Sequence, residues 1–277
     1  MNQSSKPIFR RLRHAAFAVC ACLLLVCEWA VAGKHVQVSA STHGFVGEYG
    51  LETETFTWAN QLAVQYRHDQ WRLRLSQPYI LQDGPAELVL VEEGEDDEFR
   101  IVGSDQREQR SGLGDPVASF SYSWPEHKPG LYRMNKGQWS AGVRWKFPRA
   151  DQNEGFSNGR HEYTFSLSRS QRFDNFMLHG RIGRHFRQYD EESDNTTRNQ
   201  LALGTVFFPG KYSSLGLSFY HKDATASQSE NVRSLSLNSQ TRINRNWRIG
   251  ANIGHGLTET AANISAGLEL SYRWYIR

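Results

Sequence analysis

The last fifteen residues of the chain, 263–277, alternate between apolar and polar side chains without interruption. One face carries Ile264, Ala266, Leu268, Leu270, Tyr272, Trp274 and Ile276. The other face carries Ser265, Gly267, Glu269, Ser271, Arg273, Tyr275 and Arg277. A period of two is typical of a β-strand with one apolar side. Strands average about 5–6 residues, whereas one that crosses a bilayer needs about 9–11. The segment therefore predicts the closing strand of a transmembrane β-barrel.

The same alternation recurs along most of the preceding chain. It covers residues 35–43, 57–67, 70–80, 115–124, 137–147, 161–172, 175–187, 198–208, 213–222, 231–243 and 246–256. These segments predict an all-β chain whose residues 33–277 form a single antiparallel transmembrane β-barrel of about twelve strands. The connections alternate between short and long, like the periplasmic turns and external loops of outer-membrane barrels. The connection 125–136 is long where a short turn is expected.

Residues 1–32 have the composition of a cleavable secretory signal peptide. A basic stretch ends at Arg13, an apolar core covers 15–26, and Ala30-Val31-Ala32 matches a cleavage site. A retained anchor and a lipoprotein modified at a cysteine are the alternatives. Cleavage removes all three cysteines, four of the 32 Lys and Arg residues and one of the 29 Asp and Glu residues, which leaves 28 charges of each sign. A neutral mature chain without cysteine indicates neither a nucleic-acid partner nor a disulfide framework.

The longest loop, residues 81–114, is predicted to lie outside the cell. It contains a β-hairpin at 87–102 whose tip is the acidic run EEGEDD at 92–97. This hairpin either extends two strands outward or folds over the pore. The acidic run indicates a solvated tip, since its spacing matches no calcium-binding loop.

The predicted outer face has two features that depend on the membrane. Aromatic residues crowd the short turns, which predicts a girdle at the membrane interface. Arg169 and Arg184 also fall on the apolar face. An arginine at mid-bilayer costs about 2–4 kcal/mol, and much less at the interface. Arg184 is expected near the outer leaflet, where lipid phosphates can pair with it, whereas Arg169 predicts a bulge or a shifted register.

The opposite parity places many basic residues inside the barrel. The predicted lumen-lining and solute-binding residues are Arg72, Arg74, Arg144, Lys146, Arg181, Arg242, Arg248, Glu269 and Arg273. Arg67 and Glu162 share that face. A basic wall in a low-dielectric channel raises the local concentration of anions, and rings of Arg and Lys are how anion-preferring pores are built. In the alternative, these arginines pair with Glu162, Glu269 and loop carboxylates and fill the lumen.

Catalysis and metal binding find little support in the sequence. Ser157, in FSNGR, resembles part of the motif of outer-membrane phospholipases, but the position two before it is Gly155 instead of His. A serine needs an adjacent base to act at neutral pH, and His161 follows Ser157 instead of preceding it. The histidines are scattered without ligand spacing. We therefore expect no catalytic residues, no metal and no cofactor.

Two short motifs point to a family. Residues 111–115 (SGLGD) run into an alternating strand, and residues 71–79 (WRLRLSQPY) end a strand with a Pro-aromatic pair. Both resemble the outer-membrane transporter family named for the meta-pathway of phenol degradation. The resemblance implies a barrel that passes small hydrophobic or aromatic compounds and has no catalytic residues. Gly112, Gly114 and Asp115 are expected to form a turn that enters the fourth strand.

The sequence as a whole predicts a passive channel in the bacterial outer membrane for small solutes, anionic or aromatic. One alternative is a non-conducting barrel that acts in adhesion or envelope stability, which the long acidic hairpin motivates. The other alternative is a lipid hydrolase that uses Ser157. The expected partners are outer-membrane lipid, lipopolysaccharide, a small solute and, through the C-terminal strand, the barrel-assembly machinery.

Overall fold

The computed structural model describes residues 34–49, 53–85, 107–125, 137–150, 156–157, 159–187, 197–224 and 230–276. Thirteen strands account for most of them. They are β1 Lys34–Gly47, β2 Thr55–His68, β3 Trp71–Pro85, β4 Arg107–Leu113, β5 Val117–Pro125, β6 Gly137–Lys146, β7 Glu162–Phe173, β8 Phe176–Arg187, β9 Thr197–Phe207, β10 Ser213–Lys222, β11 Val232–Arg242, β12 Trp247–Gly256 and β13 Ile264–Ile276. Among these residues no helix is long and apolar enough to cross a membrane.

The strands form one sheet that closes on itself. The last strand, β13, pairs with β1 from Lys34↔Ile276 to Val46↔Ile264, and β2 pairs with β3 to complete the ring. Both β4 and β5 pair with β3, one with its far half and the other with its near half. They are therefore two halves of one barrel strand, and the ring has twelve strands, all antiparallel. The predicted fold class and the closing role of the last strand are confirmed.

The outer surface of the ring is apolar. Ile182, Ile264 and Leu268 have relative exposures of 58%, 62% and 56%, while the buried apolar residues among those described are Val36, Ala63, Phe156 and Ala261. A soluble protein of this size would bury its large apolar side chains in a core. A closed ring with its apolar side chains outward instead fits hydrocarbon, because every strand edge is paired and lipid covers the exposed face.

Short turns and both ends of the paired chain share one rim of the barrel. Asp69 and Asp174 have positive φ angles of 48° and 42° in the turns that follow β2 and β7, a conformation that Asp tolerates better than most residues. Aromatic rings cluster near this rim. The contacts include Trp71–Tyr122 at 4.5 Å, Phe176–Phe207 at 5.0 Å and Tyr272–Trp274 at 4.4 Å between ring centroids. This is the placement of an aromatic girdle.

Two details of the wall differ from the sequence prediction. Residues 81–85 and 107–113 are paired strands, from Leu81↔Ser111 to Pro85↔Arg107, so the wall extends into the predicted loop 81–114. Arg169 needs no bulge, since β7 keeps a continuous register with both neighbours. Its guanidinium instead lies 5.0 Å from the ring centroid of Trp139 on the adjacent strand, a cation–π contact. The predicted signal peptide 1–32, the hairpin 87–102 and residues 126–136 lie outside the described residues.

A charged side chain on the outer face of β13 should destabilise the barrel according to its depth. Leu270 lies mid-strand, opposite Ala40 and Ile249, and Ile276 lies at the rim. We expect Leu270→Arg to lower the free energy of unfolding by about 2–4 kcal/mol and Ile276→Arg by about 0–1 kcal/mol, because only the first buries a charge in hydrocarbon. Urea unfolding in lipid vesicles measures both. An equal loss at the two positions would contradict a membrane-spanning β13.

Candidate functional site: charged groups on the inner face of the barrel

The strand registers define the inner face of the barrel. Residues directly opposite each other in a ladder share a face, and Arg74, Ser119, Arg144, Thr164 and His185 form one continuous row across β3 and β5 to β8. The sequence neighbours of Arg74 are Leu73 and Leu75, with relative exposures of 45% and 48%. The row therefore lies on the face opposite the apolar belt, which in a closed ring is the interior.

A group of arginines follows the inner face at the rim that carries the short turns. We name as the arginine arc Arg67, Arg72, Arg74, Arg242, Arg248 and Arg273. They come from β2, β3, β11, β12 and β13, with β1 between β13 and β2. β1 contributes His35, opposite both Arg67 and Tyr275. Within the arc, Arg67 directly faces Arg72 and Arg242 directly faces Arg248. Basic and imidazole groups therefore follow half of the ring.

Neutral oxygen atoms accept the hydrogen bonds that the arginine arc makes. Arg273 donates to Oε1 of Gln37 at 2.9 Å and Arg74 to Oε1 of Gln61 at 3.4 Å. Arg242 donates to two backbone carbonyls of the turn that follows it, at 2.9 and 3.2 Å. Within the described part of the chain, no arginine of the arc forms an ion pair with a carboxylate. The arc is thus a concentration of positive charge with which no described carboxylate forms an ion pair.

The other rim holds a charge cluster of a different kind, centred on Glu162. Its carboxylate lies 2.9 Å from Lys146 Nζ, 3.3 Å from Arg187 Nε and 3.5 Å from His185 Nε2. Lys146 also lies 3.5 Å from Asp115 Oδ2. These five residues, Asp115, Lys146, Glu162, His185 and Arg187, form the Glu162 cluster. Here cations and carboxylates compensate one another, so the cluster joins β6, β7 and β8 on the inner face.

Asp115 also fixes the loop that follows β6. It lies in the break between β4 and β5 and is only 5% exposed. Its Oδ1 accepts hydrogen bonds from the backbone N–H groups of Arg149 and Ala150 at 2.9 and 3.0 Å, and its Oδ2 accepts one from Ser157 Oγ at 2.9 Å. One carboxylate therefore holds two points of that loop against the interrupted strand.

Gly114 lies in the break of the fourth strand and packs closely against β3. Its N–H donates to the carbonyl of Pro78 at 3.0 Å. A Cβ at Gly114 would lie 2.9 Å from Ile80 Cδ1 and 3.0 Å from Pro78 Cγ, so a side chain there would require these two side chains of β3 to shift. Gly112, by contrast, lies within β4 opposite Ile80. The turn predicted for Gly112, Gly114 and Asp115 is therefore shorter and covers residues 114–116.

The remaining predicted lumen residues lie apart from the arginine arc. Arg144 and Arg181, on β6 and β8, are within electrostatic range of each other and of Tyr220. Glu269 lies opposite Ser41 on β1 and Gly250 on β12, one row further along the wall than Arg248. The nine predicted residues thus divide among the arc, the Glu162 cluster and these separate positions.

Sequence reasoning missed two basic residues near the Glu162 cluster. Arg198 is 4% exposed and directly faces His185. Lys222 is within electrostatic range of Arg198 and Glu162. Both lie on strands that alternate more weakly than β13. Leu203 on β9 and Leu217 on β10 face outward, and alternation from these two positions would have placed Arg198 and Lys222 on the inner face.

The Ser157 side chain forms hydrogen bonds that hold the loop after β6. Its hydroxyl donates to Asp115 and accepts the N–H of Gly159 at 3.1 Å. Nδ1 of His161 instead accepts a hydrogen bond from Trp145 Nε1 at 3.1 Å. Among the described residues no group of three or more His, Cys, Asp or Glu side chains is arranged to hold a metal ion.

Comparison with known proteins agrees with this geometry. The sequence profile of a family described as "Putative MetA-pathway of phenol degradation" matches residues 28–274. No curated protein matches in sequence. An outer membrane channel from Pseudomonas putida F1 superposes with a TM-score of 0.66 at 11% identity, over 89% of this chain and 98% of that one. At that identity the likeness shows the fold.

Two further barrels superpose less well. The translocator domain of the autotransporter NalP from Neisseria meningitidis gives a TM-score of 0.49 at 8% identity, over 95% of this chain and 96% of that one. The KdgM porin gives 0.47 at 7% identity, over 84% and 98%.

Loss of the Asp115 carboxylate should destabilise the barrel more than loss of an exposed one. Asp115→Asn leaves buried donors without their charged acceptor, and we expect a loss of about 1–3 kcal/mol of unfolding free energy. Asp83 pairs with Arg107 at 2.6 Å, but both side chains are well exposed, so Asp83→Asn should cost about 0–1 kcal/mol. Thermal or urea unfolding compares the two variants. Equal losses would show that Asp115 does not anchor the loop.

Proposed function

The chain belongs to the protein family described as putative MetA-pathway of phenol degradation, and we propose that it is a passive channel for small solutes in the bacterial outer membrane. The observation that carries this proposal is the closed twelve-strand ring with its apolar belt outside and its charged groups inside. A lipid-facing exterior fixes the protein in a membrane, and a polar interior gives water-soluble molecules a favourable environment.

The charge of the interior supports a preference for anions. No carboxylate among the described residues forms an ion pair with the arginine arc, and Arg144 and Arg181 add positive charge elsewhere on the inner face. Arginine stays protonated at any physiological pH, so the wall attracts anions permanently. Aromatic compounds are the second solute class to test, because the family description refers to phenol degradation.

The lipid environment and the assembly of the barrel supply its further partners in this proposal. Arg184, on the outer face, donates to Thr197 Oγ1 at 3.1 Å, and its position towards the loop-bearing rim suits a lipopolysaccharide phosphate. β13 presents Leu268, Leu270 and Trp274 on its outer face, and it closes the ring. We assign recognition by the barrel-assembly machinery to this strand.

The two alternative functions have less support. The acidic hairpin that motivated an adhesion or envelope role lies outside the described residues. A lipid hydrolase would need Ser157 free to attack, whereas its hydroxyl is bonded to Asp115.

A channel with this interior should conduct and should prefer chloride over potassium. In planar bilayers with a KCl gradient, we expect the reversal potential to shift towards the chloride equilibrium potential. The shift should decrease at high salt, because ions screen the arginines beyond a Debye length of about 3 Å at 1 M, against about 10 Å at 0.1 M. Purified protein that inserts but carries no current would contradict the channel itself. A cation preference would contradict only the proposed anion selectivity.

The protein should show no serine-dependent lipid hydrolysis. We expect phospholipid vesicles to release no more fatty acid with the purified barrel than without it, and the rate with Ser157→Ala to equal that with the wild type. Mass spectrometry of the lipids measures both. Release that depends on Ser157 would replace the proposed channel with an enzyme.

A further inference from the structure

The arginine arc has an unusual electrostatic arrangement for a barrel wall. Arg67 and Arg72 are direct cross-strand neighbours, and so are Arg242 and Arg248. Like charges directly opposite each other destabilise a sheet. Arg273 lies within electrostatic range of both pairs, through Arg72 on one side and Arg248 on the other. Five strands thus bring together charges that repel one another.

The protein leaves this repulsion largely uncompensated within the described residues. No hydrogen bond or ion pair there engages the guanidinium groups of Arg67, Arg72 and Arg248. Glu269 lies one row away and makes no ion pair with any described residue. Two nitrogen atoms of this region, Nε of Arg273 and Nε2 of His35, are buried without a hydrogen-bond partner among the described residues. Nε of Arg273 is always a donor. A buried donor without an acceptor costs about 1–3 kcal/mol, so a ligand that accepts from this atom is stabilised.

The facing wall presents small neutral groups, an arginine and a histidine to such a ligand. Its inner positions include Ser121, Ser140, Ser168, Gly204 and Gly216, and Arg181 and His179 directly face Ser168 and Gly204. The serine hydroxyls can donate as well as accept. None of these facing positions carries a negative charge that would repel a dianion.

We infer that the arginine arc is a binding site for small oxyanions that carry two negative charges, such as dicarboxylates. This inference rests on the proposed channel function and names a solute class for it. Guanidinium groups bind carboxylates through two parallel hydrogen bonds. The pairs Arg67–Arg72 and Arg242–Arg248 flank Arg273, and β12 and β2 are three strand spacings apart, about 14 Å at roughly 4.8 Å each. Long arginine side chains from both pairs can converge across that distance on the two ends of one solute.

A monoanion engages one pair and leaves the other uncompensated, so it should bind more weakly than a dianion. A neutral molecule of the same shape gains no charge-assisted hydrogen bond. Succinate and succinamide share one carbon chain and carry two and no negative charges, so they separate charge recognition from size, and propionate tests a single carboxylate.

The test uses single channels of the full barrel in planar bilayers of neutral lipid at low salt. Succinate added on the side of the short turns should interrupt the chloride current, and propionate and succinamide at the same concentration should not. In the double variant Arg67→Gln with Arg273→Gln, the half-inhibitory concentration of succinate should rise about tenfold, the loss expected for roughly one charge-assisted contact. The control Arg184→Gln removes one outer-face charge and should leave that concentration within about twofold.

Several results would contradict a dianion site at the arginine arc. Equal inhibition by succinate and succinamide, or an equal effect of Arg184→Gln, would show that the arc does not recognise charge. A conducting wild-type channel indifferent to succinate would overturn the site and leave the channel function intact. Should the wild type carry no current, the channel fails, and calorimetric titration of succinate into the detergent-solubilised barrel decides the site. If the double variant does not fold, the wild-type series alone decides it.

Discussion

The structure depends on the requirement that every backbone N–H and C=O group find a partner away from water. In hydrocarbon an unpaired group costs several kcal/mol, so a sheet can cross a membrane only as a closed ring. The pairing of β13 with β1 along their whole length meets that requirement. Once closure is satisfied, the alternation of side chains separates two solvents: apolar residues face lipid and polar residues face the lumen. The charged interior is thus a consequence of the same backbone geometry that fixes the apolar exterior.

The interior uses its charges in two different ways. In the Glu162 cluster, Lys146 and Arg187 lie 2.9–3.5 Å from carboxylates and hold neighbouring strands and a loop together. In the arginine arc, cations face cations, and the described residues supply only neutral acceptors. Charge at one rim therefore contributes to the architecture. At the other rim no described carboxylate pairs with the charge, so the arc remains available to a solute in a way that the Glu162 cluster does not.

The alternation of apolar and polar residues predicted most of the strands, because each strand is long and half of its positions face lipid. β13, observed at Ile264–Ile276, was predicted as residues 263–277. The same pattern stopped β3 too early, because Gln82-Asp83-Gly84-Pro85 has turn composition, and pairing with β2 and β4 on its two sides keeps it extended. The bonds of Asp115 could not be predicted, since they join positions 34 to 42 residues apart. For Arg169 the stabilising ring belongs to another strand, so no single-strand pattern could show it.

The barrel closes only through the pairing of its first strand with its last. β1 lies between β2 and β13, so one edge of β1 stays unpaired until β13 has been added. A chain that ends before Ile264 leaves both β1 and β12 with open edges, which are templates for pairing with other chains. In a bilayer such a chain would also expose the unpaired backbone groups of both strands to hydrocarbon, at several kcal/mol for each group.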